Sequence, residues 1–332
     1  MKILVLGGAG YIGSHTVYRL IEQGNEVVIF DNLETGHIEA VHPNARFYKG
    51  DLRNRAEIDA VLDKENNIDA VIHFAGFKAV GESVAEPLKY YRNNLESFIN
   101  VIESARRHGC RNILFSSSAT VYGEPEKLPV TEESPRQSAT SPYGNTKQMC
   151  EDILRDSVSA YSEIRGIALR YFNPVGAHPS ALIGELPRGV PNNLVPFITQ
   201  TAIGIRECLS VFGNDYPTPD GSCQRDFIDI VDLAKAHVCA VRRMIDDKMK
   251  KEYEIFNIGT GTPLSVMELI TGFEKANNLK LNYKFAPRRP GDVVAIWADP
   301  TLAEKELGWK AERPIEETLA SAWAWEKHLA GK

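Results

Sequence analysis

Two kinds of apolar pattern take turns along the first half of the chain. Short runs dense in apolar residues occur at Lys2 to Leu6, Glu26 to Phe30, the stretch ending in Phe47 to Asp51, Ala70 to Phe74, Asn112 to Ser116 and Gly166 to Phe172. Among them lie longer segments with helical spacing: Ser14 to Gln23, Arg55 to Leu62, Leu88 to His108 and Pro142 to Tyr161. The first pattern suits strands buried on both faces and the second suits amphipathic helices. Strands that alternate with helices pair in parallel. The expected fold is therefore α/β, a doubly wound parallel sheet of the Rossmann type, with ligands bound beyond the C-terminal strand ends.

Around Asn173 the rhythm breaks. Pro174, Pro179, Pro187, Pro191 and Pro196 arrive in a stretch also rich in glycine and asparagine. The pattern predicts a dinucleotide-type domain over residues 1–172, rejoined by a returning strand near 253–259. Residues 173–252 and 260–332 would form a smaller, discontinuous C-terminal lobe with little regular structure. Ser265 reads as the cap of a helix there, and Pro287 to Asp292 as a loop carrying two arginines.

The first strand and helix are joined by Gly7-Gly8-Ala9-Gly10-Tyr11-Ile12-Gly13, which satisfies G-x-G-x-x-G through Gly8, Gly10 and Gly13. In that order, strand, glycine turn and helix seat a pyrophosphate on the helix N-terminus, where unpaired N–H groups and the positive dipole end face it. A Cβ at Gly10 would hold the phosphate off. Asp31 ends the second strand, eighteen residues past Gly13. A carboxylate there accepts hydrogen bonds from ribose hydroxyls and repels a 2′-phosphate, which favours NAD over NADP.

Ser116-Ser117-Ser118 closes a later strand, and Tyr143 and Lys147 open the next helix four residues apart, on one face. A phenol of pKa about 10 is a poor base at neutral pH, but an adjacent ammonium and the nicotinamide cation both favour the phenolate. With Ser118 bonded to the same hydroxyl, the set makes a proton acceptor beside a hydride acceptor, as alcohol oxidation requires. Asp51 and Lys78 follow strands on the cofactor side. His73 ends a buried strand and is read as a core histidine without a chemical role. No histidine, cysteine or carboxylate cluster has metal-site spacing.

Composition narrows the partners. The chain has 332 residues, 43% hydrophobic and 25% charged, ordinary values for a soluble enzyme with two lobes. A net charge of −6 gives no field for nucleic acid or an anionic membrane. Five cysteines, an odd number without a C-x-x-C pair, suggest reduced thiols and a cytoplasmic setting. The apolar run after Lys2 is too short for a signal-peptide core and no long apolar span occurs, so a soluble, unprocessed protein is expected.

The chain resembles the extended short-chain dehydrogenase/reductases, and among them those that invert C4 of UDP-hexoses. The resemblance spans nearly the whole chain. It is carried by Gly7 to His15, Asp31-Asn32-Leu33, Ile72 to Gly76 with Lys78 to Ser83, Phe115 to Gly123, Ser141 to Gly144, Arg170 to Ala177 and Gly213 to Thr218. It implies that Tyr143 is the base, that Lys147 binds the nicotinamide ribose, and that Ser118 assists. Gly7, Gly10, Tyr11, Ile12, Gly13, Asp31, Asn32, Asp51, Leu52, Phe74, Ala75, Gly76, Lys78, Asn93, Ser116 and Tyr171 would hold NAD with them. Asn173, Asn193, Leu194, Phe212, Arg225, Arg289, Asp292 and Ile296 would face a UDP-sugar, with Ser118 and Tyr143. The implied reaction interconverts UDP-galactose and UDP-glucose through a 4-keto intermediate, in galactose metabolism, with tightly retained NAD and a homodimer.

Some positions depart from the family pattern. Leu6 stands where threonine is usual, Asn145-Thr146 replaces a basic-serine pair, and Phe227 stands for tyrosine. Ile296 matters more, because in the family a tyrosine there restricts the pocket to plain hexoses and a small residue admits N-acetylated ones. Isoleucine lies between, so weaker activity on N-acetylated UDP-hexosamines is expected. Two rival readings remain. A nucleotide-sugar 4,6-dehydratase needs an added acid and base, where this chain has Ala119 and Thr120. A non-catalytic NAD-sensing protein has no need for Ser118, Tyr143 and Lys147 together.

Overall fold

The computed structural model describes residues 1–289 and 292–331, so Pro290 and Gly291 of the arginine-bearing loop lie outside the described residues. The first half folds as alternating strands and helices: β1 (Lys2–Leu6), α1 (Tyr11–Glu22), β2 (Glu26–Asp31), β3 (Arg46–Lys49), α2 (Arg55–Glu65), β4 (Ala70–His73), α3 (Val80–Ala85), α4 (Pro87–Arg107), β5 (Asn112–Ser116), α5 (Pro142–Ala160) and β6 (Arg165–Tyr171). The second half contributes β7 (Asn173–Val175), α6 (Leu194–Ala202), β8 (Leu209–Phe212), β9 (Gln224–Asp229), α7 (Ile230–Ile245), β10 (Tyr253–Ile258), β11 (Pro263–Ser265), α8 (Val266–Asn277), β12 (Tyr283–Ala286), β13 (Ala295–Ile296), α9 (Thr301–Leu307) and α10 (Ile315–Leu329).

Seven strands form one parallel sheet in the order β10-β6-β5-β4-β1-β2-β3. The order reverses beside β1, and the crevice at such a switch point is where open α/β sheets bind ligands. The central strands are buried along their whole length because helices cover both faces. On one face α2, α4 and α5 pack through residues such as Ile58, Phe98 and Leu154, and on the other α1 contributes Val17 and Leu20. The helix α5 starts where local chemistry dictates: Ser141 accepts from the Gly144 N–H at 3.2 Å, and Pro142 occupies the first turn.

The partition expected from the sequence needs correcting at two elements. The helix α7 falls within the lobe expected at 173–252, yet Leu233, Ala236, Val241 and Met244 pack with Val17 and Leu20 of α1 on the main sheet. Adjacent parallel strands need a crossover, and α7 leads into β10 beside β6. Ala303 of α9 and the following Trp309 join the same core. The remaining elements are also more regular than expected. β7, β9, β11 and β13 share a four-stranded sheet, β8 pairs with β12, and α6, α8 and α10 enclose a separate apolar core with Phe227, Phe273 and Leu319. Ser265 caps α8 in a reciprocal capping box with Glu268. No helix among the described residues is long and apolar enough to cross a membrane.

Candidate active site

The β1–α1 turn is shaped by close backbone approach. Gly7 has φ +82°, and a Cβ there would lie 2.7 Å from the Ala75 nitrogen. A Cβ at Gly13 would overlap the Gly7 carbonyl oxygen. Gly10 caps α1 with no side-chain bond, so the first-turn N–H groups remain open to an anion. At the end of β2, Asp31 accepts from the Ala9 N–H at 3.0 Å and the Leu33 N–H at 2.8 Å. Burial pushes its carboxyl up and these two bonds pull it back. Each oxygen keeps a lone pair for a further donor.

One cavity of about 640 Å³ runs from this turn to the end of β6. It is lined by every residue expected at the cofactor, from Gly7 through Asp31, Asp51, Phe74 and Asn93 to Tyr171, and also by Ser118, Asn173 and Asn193. Asn32 donates to Asp51 at 3.2 Å, and the Arg53 guanidinium holds the Asp51 carboxyl down at about 2. Lys78 reaches Glu185 at 3.4 Å.

The remaining expected substrate residues do not line that cavity. Arg289 forks onto Asp292 at 2.8 and 3.2 Å, Arg225 stands 3.7 Å from the same carboxylate, and the Arg289 guanidinium lies 5.9 Å from the Phe212 ring centre. These four form a cluster of their own. Leu194 begins α6 directly after Asn193. Ile296, beside Arg225 in the β13–β9 pairing, packs with Ala119, Tyr122 and Phe172, so it backs the cavity wall at Phe172.

At the inner end, Lys147 Nζ donates to the Ser116 carbonyl at 2.7 Å and sits 5.9 Å from the Tyr143 ring centre. Ser116 Oγ shares a 2.8 Å hydrogen bond with the Tyr171 hydroxyl. Burial pushes the Tyr143 phenol up to about 12, with the Ser118 hydroxyl pulling the other way. Burial likewise pushes the Lys147 ammonium down to about 8, opposed by Cys150 and Glu151. Among the protein's own groups, desolvation is thus the larger influence on the Tyr143 phenol and the Ser118 hydroxyl the smaller. His73 is buried against Phe98, 5.0 Å between ring centres, with no hydrogen-bond partner on either ring nitrogen.

Sequence reasoning missed the segment from Leu182 to Asn192, most of which lines the same cavity up to the expected Asn193. It is tied across the cavity mouth: Arg188 donates to the Leu33 and Gly36 carbonyls at 3.2 and 2.9 Å, and His37 Nε2 pairs with the Leu186 carbonyl at 2.8 Å. Trp325 donates to the Glu185 carbonyl at 3.0 Å. Its prolines and glycines signalled a boundary, and nothing local marked it as a strap.

A parallel sheet with a bare glycine turn, a strand-end acid and a Ser–Tyr–Lys set around one cavity defines a dinucleotide-dependent enzyme of the short-chain dehydrogenase/reductase class. Comparison with known proteins gives the family. The chain belongs to the NAD dependent epimerase/dehydratase family, whose model matches residues 3–259. It is 51% identical to the UDP-glucose 4-epimerase of Bacillus subtilis, over 98% of this chain and 97% of that protein. The UDP-glucose 4-epimerase of Bifidobacterium longum, solved in complex with NAD+ and UDP, superposes with a TM-score of 0.93 at 46% identity, covering 99% of this chain and 98% of the other. The UDP-Glc/GlcNAc 4-epimerase of Campylobacter jejuni superposes at 0.83 with 36% identity, covering 98% and 99%.

Proposed function

We propose that this protein is an isomerase that interconverts UDP-galactose and UDP-glucose with NAD as its bound cofactor. The observation that carries the reading is the meeting of Ser118, Tyr143 and Lys147 with the glycine turn in one cavity. The cradle fits a dinucleotide: Gly7 and Gly10 leave the backbone bare, the first-turn N–H groups of α1 suit a pyrophosphate, and Asp31 suits an unphosphorylated ribose. NAD held there would supply a reversible hydride acceptor for C4 of the sugar.

The chain supplies the rest. Tyr143 removes the proton of the 4-hydroxyl and later returns it, and Ser118 holds that hydroxyl in line. Lys147 places positive charge behind the phenol while its ammonium is anchored on the Ser116 carbonyl. Asn173 and Asn193 orient the sugar, and Arg225 and Arg289 offer forks suited to diphosphate oxygens. Between the two hydride transfers the 4-keto sugar must rotate while the nucleotide stays held, which suits a site with its nucleotide grip apart from its reacting end.

A dehydratase must also remove a C5 proton and protonate a leaving hydroxyl; Ala119 and Thr120, beside Ser118, can do neither. Incubation of the purified protein with UDP-galactose and no added cofactor tests the reading. UDP-glucose is the expected product, a 4-keto-6-deoxy sugar would mean the dehydratase, and no reaction would remove the isomerase. Two further parts of the proposal are a homodimer and a cytoplasmic setting. The first is supported by exposed Leu88 and Ile99 on α4 and Met149 on α5, and the second by five free cysteines.

A further inference from the structure

Ser118 and the Tyr143–Lys147 pair come from different elements, and one buried carboxylate joins them. Glu151 lies one turn beyond Lys147 on α5 and is 2% exposed. Its Oε1 accepts from Ser117 Oγ at 2.6 Å and from Arg170 Nε at 2.9 Å, and its Oε2 from Arg170 Nη2 at 2.6 Å. Ser117 immediately precedes Ser118. Arg170 immediately precedes Tyr171, whose hydroxyl bonds Ser116. Arg170 Nη1 also donates to the Tyr122 hydroxyl at 3.1 Å, which donates to Asn257 on β10 at 2.6 Å.

A buried ion pair is weak evidence for stability, because desolvation can cancel the attraction and an apolar replacement is often neutral. Its retention here needs another reason. Each hydrogen bond of the carboxylate ends one residue away from a group that lines the reacting end of the cavity, and the helix that carries the carboxylate carries the base. A slip of α5 along the sheet would move Tyr143 against Ser118, and the apolar contact of Leu154 over Gly166 is only one of the restraints against it. Ångström-scale misplacement of reacting groups costs on the order of 10²-fold in rate.

We propose that Glu151 is a positioning residue for the C4 inversion, fixing the register of α5 against β5 and β6 and with it the spacing of Ser118, Tyr143 and Lys147. This rests on the isomerase reading above. The carboxylate also faces Lys147, where with Cys150 it opposes the burial that weakens the ammonium, while the buried His73 faces the same group from β4.

Two variants test it. Glu151→Gln keeps the shape but loses the charge and one of the acceptors that the Arg170 fork needs. Ser117→Ala leaves the Arg170 pair whole and cuts only the tie to the Ser118 strand end, so it remains informative if Glu151→Gln fails to fold. Turnover of UDP-galactose, KM, bound NAD per chain and Tm are measured together. In Glu151→Gln, kcat is expected to fall by about 10- to 100-fold, and in Ser117→Ala by about threefold or more. KM and NAD content should stay near wild type in both. Wild-type kcat in Ser117→Ala overturns the proposal, as does a loss of kcat that merely follows lost NAD or a lowered Tm. Absent turnover in the wild type would remove the isomerase reading itself, and this proposal with it.

Discussion

The Lys147 ammonium gives its hydrogen bond to the Ser116 carbonyl, 2.7 Å away, and not to the Tyr143 phenol, whose ring centre is 5.9 Å distant. The lysine therefore does not hold the phenol directly, and burial pushes that phenol up to about 12. Lowering that barrier falls to charge brought into the cavity. Tyr143→Phe keeps the packing and removes the proton acceptor. Its kcat should drop by about 10²- to 10⁴-fold while NAD remains bound; turnover at the wild-type rate would remove Tyr143 from the mechanism.

The same arrangement sets an alkaline limit. Burial lowers Lys147 to about 8, so the cation is complete below that pH and is lost as pH rises through it. The kcat for UDP-galactose should decline through about pH 8, and Lys147→Met should be slower and lack that step. A profile that stays level well above that pH would show that the ammonium is not needed in the rate-limiting step.

Much of this site is legible in the sequence because its geometry is local. The glycine turn, Asp31 at a strand end and the four-residue spacing of Tyr143 and Lys147 are all set within one element or one turn. The strap is not local: Arg188 reaches Leu33 across 155 positions. The packing of helix α7 on the main sheet is not local either, since its apolar stripe shows that it is buried but not against which core. In the cluster of Phe212, Arg225, Arg289 and Asp292, the arginine forks suit diphosphate oxygens by their chemistry, but only the family resemblance brings Phe212 and Asp292 to the same site.

That strap makes cofactor retention a measurable property. Denaturing the purified, desalted wild type should release close to one NAD per chain. Arg188→Ala cuts two hydrogen bonds to the Leu33 and Gly36 carbonyls, each worth about 1 kcal/mol, and should speed NAD loss on dialysis by up to about 30-fold. Equal retention in the variant would show that the glycine turn alone holds the cofactor.

Acid should unfold the protein through its buried histidines. Burial lowers His15 and His73 to about 3 and His237 to about 4. Their unfolded value is about 6.5, so below that pH the unfolded chain binds more protons and stability falls as pH falls. The stability is fully present above about 6.5 and is lost toward the folded values. Up to about 4 kcal/mol per pH unit is at stake if all three contribute. Urea titrations between pH 7 and 5 should show the decline, and His73→Phe, which sacrifices no ring hydrogen bond, should make it shallower. An unchanged slope in that variant would place the acid sensitivity elsewhere.

Ile296 offers the sharpest test of specificity, because it stands behind the cavity wall. Its side chain is 7% exposed and packs with Ala119 and Phe172, and Phe172 in turn lines the cavity. A larger residue would press Phe172 inward and a smaller one would let it retreat, so size at this position should be read out as room around the sugar. We expect UDP-N-acetylglucosamine to be epimerised more slowly than UDP-glucose by the wild type. Ile296→Ala should narrow that gap, at some cost in stability from the cavity it leaves, about 2–5 kcal/mol. Ile296→Tyr should abolish the N-acetylated activity while sparing UDP-glucose. No detectable N-acetylglucosamine turnover in the wild type at saturating substrate, with none gained in Ile296→Ala, would show that the pocket is closed by something other than this residue.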